Sequence, residues 1–259
     1  MAEAINDLGE GLKNALQEQV KSEQMKADLI TNVSHDLKTP LTSIINYVDL
    51  LEKEELSNET AEGYLEVLER QSNRLKKLIE DLIEASKAST GNLAVHLEKL
   101  ETGVSVVQIV GEFEDKLNAA DLTLLIQKPE TPVYVMADGR HFWRVIDNLM
   151  NNICKYAQPG TRVYVDLREN GGQVELIFRN TSRYPLNISS EELMERFVRG
   201  DESRNTEGSG LGISIAKSLM ELMGGSFMLY VDGDLFKVVL GFAQMEEEKE
   251  PLDEDKSGK

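Results

Sequence analysis

The chain has 259 residues, a hydrophobic content of 41% and a formal net charge of −18. This length allows one large domain or two ordinary ones, and the acidity argues against duplex DNA or an anionic lipid surface as the main partner. The single cysteine, Cys154, excludes an internal disulfide and any zinc site built on several cysteines. Because no run of about 18 apolar residues and no signal-peptide core occurs, we expect the chain as given to be soluble, although it could be a piece of a longer protein.

The N-terminal third is predicted to be a helical hairpin. Residues 11–86 are highly charged, almost free of glycine and helical in period, with one apolar stripe from Val33 to Leu51 and a second from Leu65 to Leu82. The polar link EKEELSNETAEG separates the two stripes. One hairpin cannot bury both stripes, so we expect two copies to pair into a four-helix bundle.

The pattern changes beyond Gly91, where an α+β sandwich with a mixed sheet is predicted. A helix over residues 105–118 precedes the strand-like runs LTLLIQ, PVYVMA, TRVYVDLRE and QVELIFRN. Between the second and third runs lies the helix GRHFWRVIDNLMNNICKYA, with Asp138 placed to cap it. The segment RENGGQ predicts a hairpin turn, and the helix ISIAKSLMELMGG precedes a final strand pair that turns at Asp232 and Gly233.

One of only three histidines, His35, lies in the stretch TNVSHDLKTPLTSI. At about 100° per residue, His35 falls about 200° from Val33, away from the apolar stripe and beside Thr39. This position disfavours a core histidine, and the neighbours supply too few ligands for a metal site. Two interpretations of His35 therefore remain: a solvent-facing histidine without function, and a reactive histidine. In the second, Asp36 would fix the tautomer of the imidazole, and the Thr39 hydroxyl would lie one helical turn away.

The helix segment DNLMNNICKYA carries a second candidate site. Asn148, Asn152 and Lys155 fall at i, i+4 and i+7 and therefore share one helix face. Amide oxygens suit Mg²⁺, which relies on substrate phosphates for further ligands, and a lysine meets phosphates as a point charge. The alternative is a polar helix face that happens to be rich in asparagine.

A third candidate is the glycine-rich segment GDESRNTEGSGLGISIAKSL. Gly208, Gly210 and Gly212 alternate just before an apolar-periodic helix, where backbone N–H groups can approach a phosphate closely. The spacing matches neither the Walker nor the Rossmann pattern, and such a trio often forms only a flexible link. Together with the asparagine-rich helix it predicts a nucleotide pocket.

Four segments resemble, in order, the sequence boxes of the cytoplasmic core of a bacterial sensor histidine kinase. SHDLKTPLTSI resembles the phosphoacceptor H-box, DNLMNNICKYA the N-box of a GHKL-type ATP-binding domain, ERFVRGDESR the F-box, and GSGLGISIAKSL the G2 box. The segment NDLGEGLKNALQEQVKSEQMKADLITN is similar to the end of a HAMP signalling module running into the first helix.

The resemblance implies a multidomain protein of α and α+β class. Residues 1–25 would end a HAMP-like module and signalling helix, and residues 26–91 would form the dimerisation and histidine phosphotransfer domain, a four-helix bundle in the dimer. Residues 92–245 would form a catalytic ATP-binding α/β sandwich of the GHKL (Bergerat) type. Residues 246–259 are expected to be a disordered acidic tail.

The resemblance also implies a role for each matched residue. His35 would receive the γ-phosphoryl group on Nε2, Asp36 would act as the orienting acid/base, and Thr39 would take part in dephosphorylating the partner. Asn152 would coordinate Mg²⁺. The implied ATP-site residues are Asn148, Asn152, Lys155, Tyr156, Asn180, Phe197, Arg199, Gly208, Ser209, Gly210, Leu211 and Gly212, with Arg196, Phe197 and Arg199 in a mobile lid.

One box departs from the family pattern. The family carries D-x-G-x-G, whose aspartate accepts a hydrogen bond from the adenine amino group, whereas this chain reads FRNTSRYPLN with Asn180 in that place. An asparagine oxygen accepts the same bond without charge assistance. We therefore expect ATP binding to persist with lower affinity.

The function that the resemblance implies is that of a sensor kinase in a two-component system. With ATP and Mg²⁺ it would phosphorylate its own His35, pass the phosphoryl group to an aspartate of a response regulator, and act as a phosphatase toward that regulator. It would be a homodimer through the hairpin and the cytoplasmic portion of a bacterial receptor anchored in the cell membrane by segments absent from this chain. Two alternatives stay open: a GHKL scaffold with impaired ATP binding, and a GHKL ATPase that does not act on histidine.

Overall fold

The computed structural model describes residues 37, 40–51, 58–89, 93–186, 190–194 and 210–245. The chain divides into two compact units. The first comprises Met1–Leu93 with Ile188–Ile215, and the second comprises Ala94–Asn187 with Ala216–Lys259. The predicted HAMP-like segment and acidic tail lie outside the described residues, and the domain boundaries stay predictions.

The first unit is built on a helical hairpin. Its helices are α1 (residues 40–51), α2 (Asn58–Ser89) and α6 (Ser190–Met194). The rings of Tyr47 on α1 and Tyr64 on α2 lie 5.4 Å apart, and Ile44 lines the same shallow groove as Ile79. Moving toward the N-terminus of α1, from Tyr47 to Ile44, thus corresponds to moving toward the C-terminus of α2, from Tyr64 to Ile79. The two helices are therefore antiparallel, as predicted.

The predicted apolar stripe of α2 is only partly covered within the chain. Leu68, Leu75 and Leu82 are half-buried, whereas Leu65 is 56% exposed and Ile79 42% exposed. Apolar side chains at helical spacing that stay open to solvent are the expected state of a hairpin before it meets a second apolar surface.

The second unit contains a five-stranded mixed sheet in the order β2-β4-β5-β7-β6 and a separate β1–β3 ribbon. Its strands are β1 (Glu98–Glu101), β2 (Thr123–Gln127), β3 (Tyr134–Ala137), β4 (Arg162–Asn170), β5 (Gln173–Thr181), β6 (Ser226–Asp232) and β7 (Leu235–Ala243). Its helices are α3 (Thr102–Gly111), α4 (Glu114–Ala119) and α5 (Gly139–Tyr156), and α7 (Gly212–Leu222) begins in the first unit and continues into the second. Only the β2–β4 pair of the large sheet is parallel, so the predicted mixed α+β sheet is confirmed.

The core of the second unit follows the two periodicities of its elements. Alternate residues of β4, such as Val163 and Val165, are fully buried on one face of the sheet. On α5 the fully buried residues recur at helical spacing, and the ring of Phe142 lies 5.9 Å from that of Phe242 on β7. This packing fixes the rotation of α5, and with it the direction of the helix's polar face.

Two hairpin turns connect the antiparallel strands. The hairpin turn predicted from RENGGQ is confirmed: Gly171 and Gly172 both have positive φ angles, 59° and 82°, as a type I′ turn requires. In the β6–β7 hairpin, Asp232 pairs with Leu235, so the turn consists of Gly233 and Asp234, one residue later than predicted. Only Gly233 of these two has a positive φ angle, at 57°.

The structure differs from the sequence prediction just before β2. The helix predicted over residues 105–118 is two helices, α3 and α4, because the turn at Phe113 places that aromatic ring in the core with 2% exposure. Helix α3 starts three residues earlier than predicted because the Glu101 carboxylate accepts hydrogen bonds from the N–H groups of Gly103 and Val104. The strand β1 was not predicted at all.

Two glycines mark a close approach of backbones where α7 leads into β6. A Cβ atom on Gly225 would lie 2.7 Å from Cε of Met220 and 2.9 Å from the carbonyl oxygen of Gly241. A Cβ atom on Gly241 would collide with the Ser226 hydroxyl. Gly225 therefore has no room for a larger residue, because the carbonyl of Gly241 is backbone, whereas the Ser226 hydroxyl beside Gly241 can rotate away.

Candidate functional site

The asparagine-rich helix α5 begins at a well-ordered cap. The Asp138 carboxylate, 2% exposed, accepts hydrogen bonds from the backbone N–H groups of Arg140 and His141 at 3.0 and 3.2 Å and from that of His96 at 2.9 Å. Burial alone would raise the pKa of this carboxyl, but these three hydrogen bonds and the His141 ring, 3.9 Å away, together lower the pKa. The predicted cap is confirmed, and it fixes where α5 starts.

Helix α5 carries the polar face that the sequence predicted. Asn148, Asn152 and Lys155 are all half-buried, while Leu149 and Ile153 on the adjoining face are 1% exposed. The Nδ2 atom of Asn148 is buried and has no hydrogen-bond partner among the described residues. A buried amide without a partner is rare in folded proteins and marks a place where a ligand can supply the missing acceptor.

A second polar row beside this face has no counterpart in the sequence prediction. The Asp147 carboxylate accepts hydrogen bonds from Arg144 at 3.2 Å and from Asn151 at 2.7 Å. The Asn151 oxygen in turn accepts from Lys116 on α4 at 3.1 Å. Burial raises the pKa of the neighbouring Cys154 thiol, although Lys116 opposes this, so the thiol is not activated as a nucleophile. The row ties α5 to α4.

The C-terminal end of α5 is joined directly to the end of β5. Ala157 and Ser182 form an antiparallel bridge. The N–H of Gln158 donates to the carbonyl of Thr181 at 2.9 Å, and the N–H of Arg183 donates to the carbonyl of Tyr156 at 2.8 Å. The structure thereby brings Tyr156 together with the strand end that carries Asn180.

Asn180 is the second residue with an unsatisfied amide. It is 5% exposed and lies on the same face of β5 as the buried Leu176 and Phe178. Its Nδ2 donates to the carbonyl of Thr181 at 3.3 Å, while its Oδ1 is buried without a partner in the part of the chain that the structure describes. An acceptor oxygen is thus available at the position that the sequence resemblance equates with the family's aspartate.

The described part of the glycine-rich segment leads into α7. Gly210 has a φ angle of +68°, a conformation that disfavours side chains, and Gly212 is the first residue of α7. The carbonyl of Leu211 accepts hydrogen bonds from the Ile215 N–H at 2.8 Å and from the Ser214 hydroxyl at 2.9 Å. The prediction that this segment opens a helix is confirmed, and its contact with a phosphate stays a prediction.

Several predicted site residues lie outside the described residues, so their placement stays a prediction. These are His35, Asp36, Thr39, Arg196, Phe197, Arg199, Gly208 and Ser209. Within the described ranges, no group of three or more His, Cys, Asp or Glu side chains could hold a metal ion. Over the same ranges, no helix has the length and apolarity needed to cross a membrane.

Two family models match the chain. Residues 25–91 match the His Kinase A (phospho-acceptor) domain, and residues 137–250 match the family of histidine kinase-, DNA gyrase B- and HSP90-like ATPases. The order of the two matches is the order that the sequence boxes implied.

The curated relatives are sensor proteins that are longer than this chain. VanSC of Enterococcus gallinarum is 31% identical over 86% of this chain, and YcbM of Bacillus subtilis is 27% identical over 85%. DivL of Caulobacter vibrioides is 27% identical over 85%. The chain spans 62% of VanSC, 72% of YcbM and 28% of DivL.

Solved structures show the same fold at low sequence identity. The Acinetobacter baumannii histidine kinase AdeS aligns with a TM-score of 0.63 at 19% identity, covering 82% of this chain and 98% of AdeS. The histidine kinase ThkA, solved in complex with the response regulator TrrA, aligns with a TM-score of 0.64 at 16% identity, covering 91% of this chain and 67% of ThkA. With its phosphoacceptor domain followed by an ATPase domain of this type, the chain belongs to the bacterial sensor histidine kinases.

Proposed function

We propose that this chain is the catalytic core of a two-component sensor kinase that transfers the γ-phosphoryl group of ATP to His35 and then to an aspartate of a response regulator. The observation that carries the proposal is the pair of buried, unpartnered amide atoms, Asn148 Nδ2 on α5 and Asn180 Oδ1 on β5. Burying a polar group without a partner costs free energy, so both atoms favour a polar ligand bound against these two elements.

The phosphoacceptor chemistry is assigned to three residues of the hairpin. Neutral His35 attacks the γ-phosphorus through Nε2, the bond from that phosphorus to the bridging oxygen breaks, and ADP leaves with the electron pair. The imidazole loses its Nδ1 proton toward Asp36, which also fixes the starting tautomer. In the separate phosphatase reaction, the Thr39 hydroxyl positions a water that attacks the phosphorus of the regulator's aspartyl phosphate, and inorganic phosphate and the free aspartate are released.

The ATP domain is assigned the work of positioning and charge stabilisation, as in other phosphoryl transfers. Mg²⁺ fits an amide ligand such as the half-buried Asn152 because it keeps several waters and takes further oxygens from the substrate phosphates. Lys155, one turn along α5, adds a positive charge. Tyr156 and Asn180 line the base, and residues 208–212 together with the Phe197 lid residues close the phosphate end.

The partners follow from the same assignment. A second copy covers the exposed apolar residues of α2, which makes the active form a homodimer. A response regulator docks on the hairpin, a mode for which ThkA with bound TrrA is a precedent of the same fold. The sensor relatives that exceed this chain in length favour a membrane-anchored receptor, with residues 1–25 ending a HAMP-like module and domains at 26–91 and 92–245.

Incubation of the purified chain with γ-labelled Mg-ATP tests the proposal. We expect label on the protein that is stable in base and lost in acid, as a phosphoramidate requires. His35→Gln should abolish labelling while leaving ATP affinity unchanged, and His96→Gln is the matched control that should label normally. Label that persists in His35→Gln would sink the assignment.

The same experiment separates the two alternatives. A GHKL ATPase that does not act on histidine would release labelled phosphate and leave the protein unlabelled. A scaffold with a defunct site would neither take up label nor bind ATP in a titration with a fluorescent nucleotide.

A further inference from the structure

The segment that follows the hairpin is bonded through its backbone to the start of α5. The N–H of His96 donates to Oδ2 of Asp138 at 2.9 Å. The carbonyl of Ala94 lies 3.0 Å from Nε2 of His141, and because a carbonyl oxygen only accepts, this nitrogen carries a proton and donates it. All four residues belong to the second unit. Both bonds use main-chain atoms of the segment, so they do not depend on its side chains.

The α5 side of these bonds is rigid and poorly hydrated. The side chains of Asp138 and His141 are 3% and 13% exposed. The Asp138 carboxylate also accepts the N–H groups of Arg140 and His141, so it cannot turn toward solvent without losing the helix cap. A hydrogen bond to a charged acceptor in such a setting is stronger than one between neutral groups. We therefore expect residues 94–96 to move together with α5.

The place of this segment in the chain gives the two bonds a consequence. Helix α2 ends at Ser89, and the division between the two compact units falls between Leu93 and Ala94. Residues 92–136 lie between the two family matches, so the segment belongs to neither matched domain. While Ala94 is bonded to α5, the connection between α2 and the second unit consists only of residues 90–93.

Losing both bonds would double the length of this connection. The next fixed point along the chain is Glu98, the first residue of β1, which pairs with Ala137 on β3. The connection would then consist of residues 90–97. Because the effective concentration of two joined units falls as about the −3/2 power of the length of their connection, doubling that length lowers the effective concentration about 3-fold.

We propose that Asp138 and His141 form a linker clamp, which holds residues 94–96 on α5 and thereby raises the rate at which ATP bound to the second unit meets His35. Both are positioning residues, because they act through the length of the connection. Helix α5 also carries the proposed nucleotide-binding face, so the clamp joins the connection directly to that element. The inference rests on the proposed function and deepens it.

Two insertions in the full chain separate a clamped connection from a free one. The sequence Gly-Ser-Gly-Ser between Leu93 and Ala94 lies upstream of the clamp and should lower the rate of His35 labelling at saturating ATP about 3-fold, because it doubles the connection. The same four residues between Leu97 and Glu98 lie downstream of the clamp and should leave the rate unchanged. Displacement of a fluorescent nucleotide should give the same ATP affinity for both.

Removing the two bonds gives a second test. His141→Phe keeps a ring but lacks the donor, and His96→Pro lacks the backbone N–H. The double variant should be labelled about 3-fold more slowly than the wild type at unchanged ATP affinity, and the downstream insertion should now slow it about 2-fold further. The matched control combines His141→Gln with His96→Ala. It keeps both donors and should be labelled at the wild-type rate.

The outcomes distinguish this inference from the proposed function. Equal effects of the two insertions on the labelling rate would show that the segment is not held, and would overturn the clamp while labelling still supports a kinase. A double variant with weaker ATP binding would also overturn it, because the contact would then serve the nucleotide site itself. A wild-type chain that takes up no label would overturn both. The insertions change no bonded residue, so they decide the matter if the double variant unfolds.

Discussion

The two units of the chain bury their apolar side chains in opposite ways. In the second unit Phe142, Ile146 and Leu149 of α5 are 0–1% exposed, because the sheet and helices of one chain cover them completely. In the hairpin of the first unit, Leu65 is 56% and Ile83 49% exposed. The nucleotide-binding unit is therefore complete as a single copy, whereas the hairpin gains its full core only when another apolar surface covers it.

Breaking the core of the second unit should have the largest effect. Phe142→Ala removes a fully buried ring and is expected to cost about 3–5 kcal/mol of unfolding free energy. Urea unfolding followed by the fluorescence of Trp143, the only tryptophan, measures this loss next to the substituted site. The loss should be the same at every protein concentration, and a concentration-dependent loss would contradict the self-contained core.

A charge on the exposed stripe of the hairpin should act on association instead. Ile79→Asp buries an unpaired carboxylate in the dimer and is expected to raise the dimer dissociation constant about 100-fold, measured by sedimentation. Val107→Asp on α3 is the matched control, since Val107 is 41% exposed and Ile79 42%. Equal effects of the two variants on the dimer dissociation constant would contradict the idea that association covers the hairpin stripe and not the surface of the second unit.

Thr39→Ala should affect the proposed phosphatase activity and leave the proposed autophosphorylation unchanged. We expect phosphatase activity toward the phosphorylated regulator to fall about 10-fold, because a positioned hydroxyl acts through a water. Autophosphorylation should be unchanged, because the hydroxyl has no part in the attack of His35 on ATP. Gel assays of both reactions with one protein preparation decide this, and equal loss of both would argue against the assigned role.

The smallest effect is expected at the cap of α5. The lowered pKa of Asp138 means that its carboxylate stabilises the fold above the ordinary aspartate pKa of about 3.9 and loses this contribution as the pH falls through the folded-state value. Asp138→Asn should therefore cost about 1 kcal/mol at pH 7 and progressively less below about pH 4. Urea unfolding at pH 7, 5 and 3 measures the difference, which should shrink with pH and not stay constant.

Helices and turns whose apolar period, cap or turn residues lie within one short segment could be predicted from the sequence. Helix α5 has its apolar period and its Asp138 cap within one segment, and the β4–β5 hairpin has Gly171 and Gly172 at the turn. Strand β1, with the sequence EKLE, has no alternating pattern and exists because it pairs with β3. The break between α3 and α4 exists because the core accommodates Phe113, which is a tertiary effect that overrides helical propensity.

In the candidate site, too, features set by local sequence could be predicted, and features set by the folded chain could not. The face formed by Asn148, Asn152 and Lys155 could be predicted because helical spacing alone brings these residues together. The Asn151–Lys116 bond joins residues 35 apart, so only the folded chain reveals it. The Thr181 carbonyl that accepts the hydrogen bond from Asn180 Nδ2 is a main-chain group, so no residue type in the sequence indicates this contact.

The close approach at Gly225 and Gly241 has a consequence for genetics. A single methyl group at Gly225 would meet the carbonyl oxygen of Gly241 at 2.9 Å, so the backbone itself would have to move. Alleles that change Gly225 would lower the amount of folded protein before any question of nucleotide or regulator arises. A signalling defect that maps to Gly225 therefore reports a loss of folded protein, and Gly225 should not be counted among the residues that perform the phosphoryl transfer.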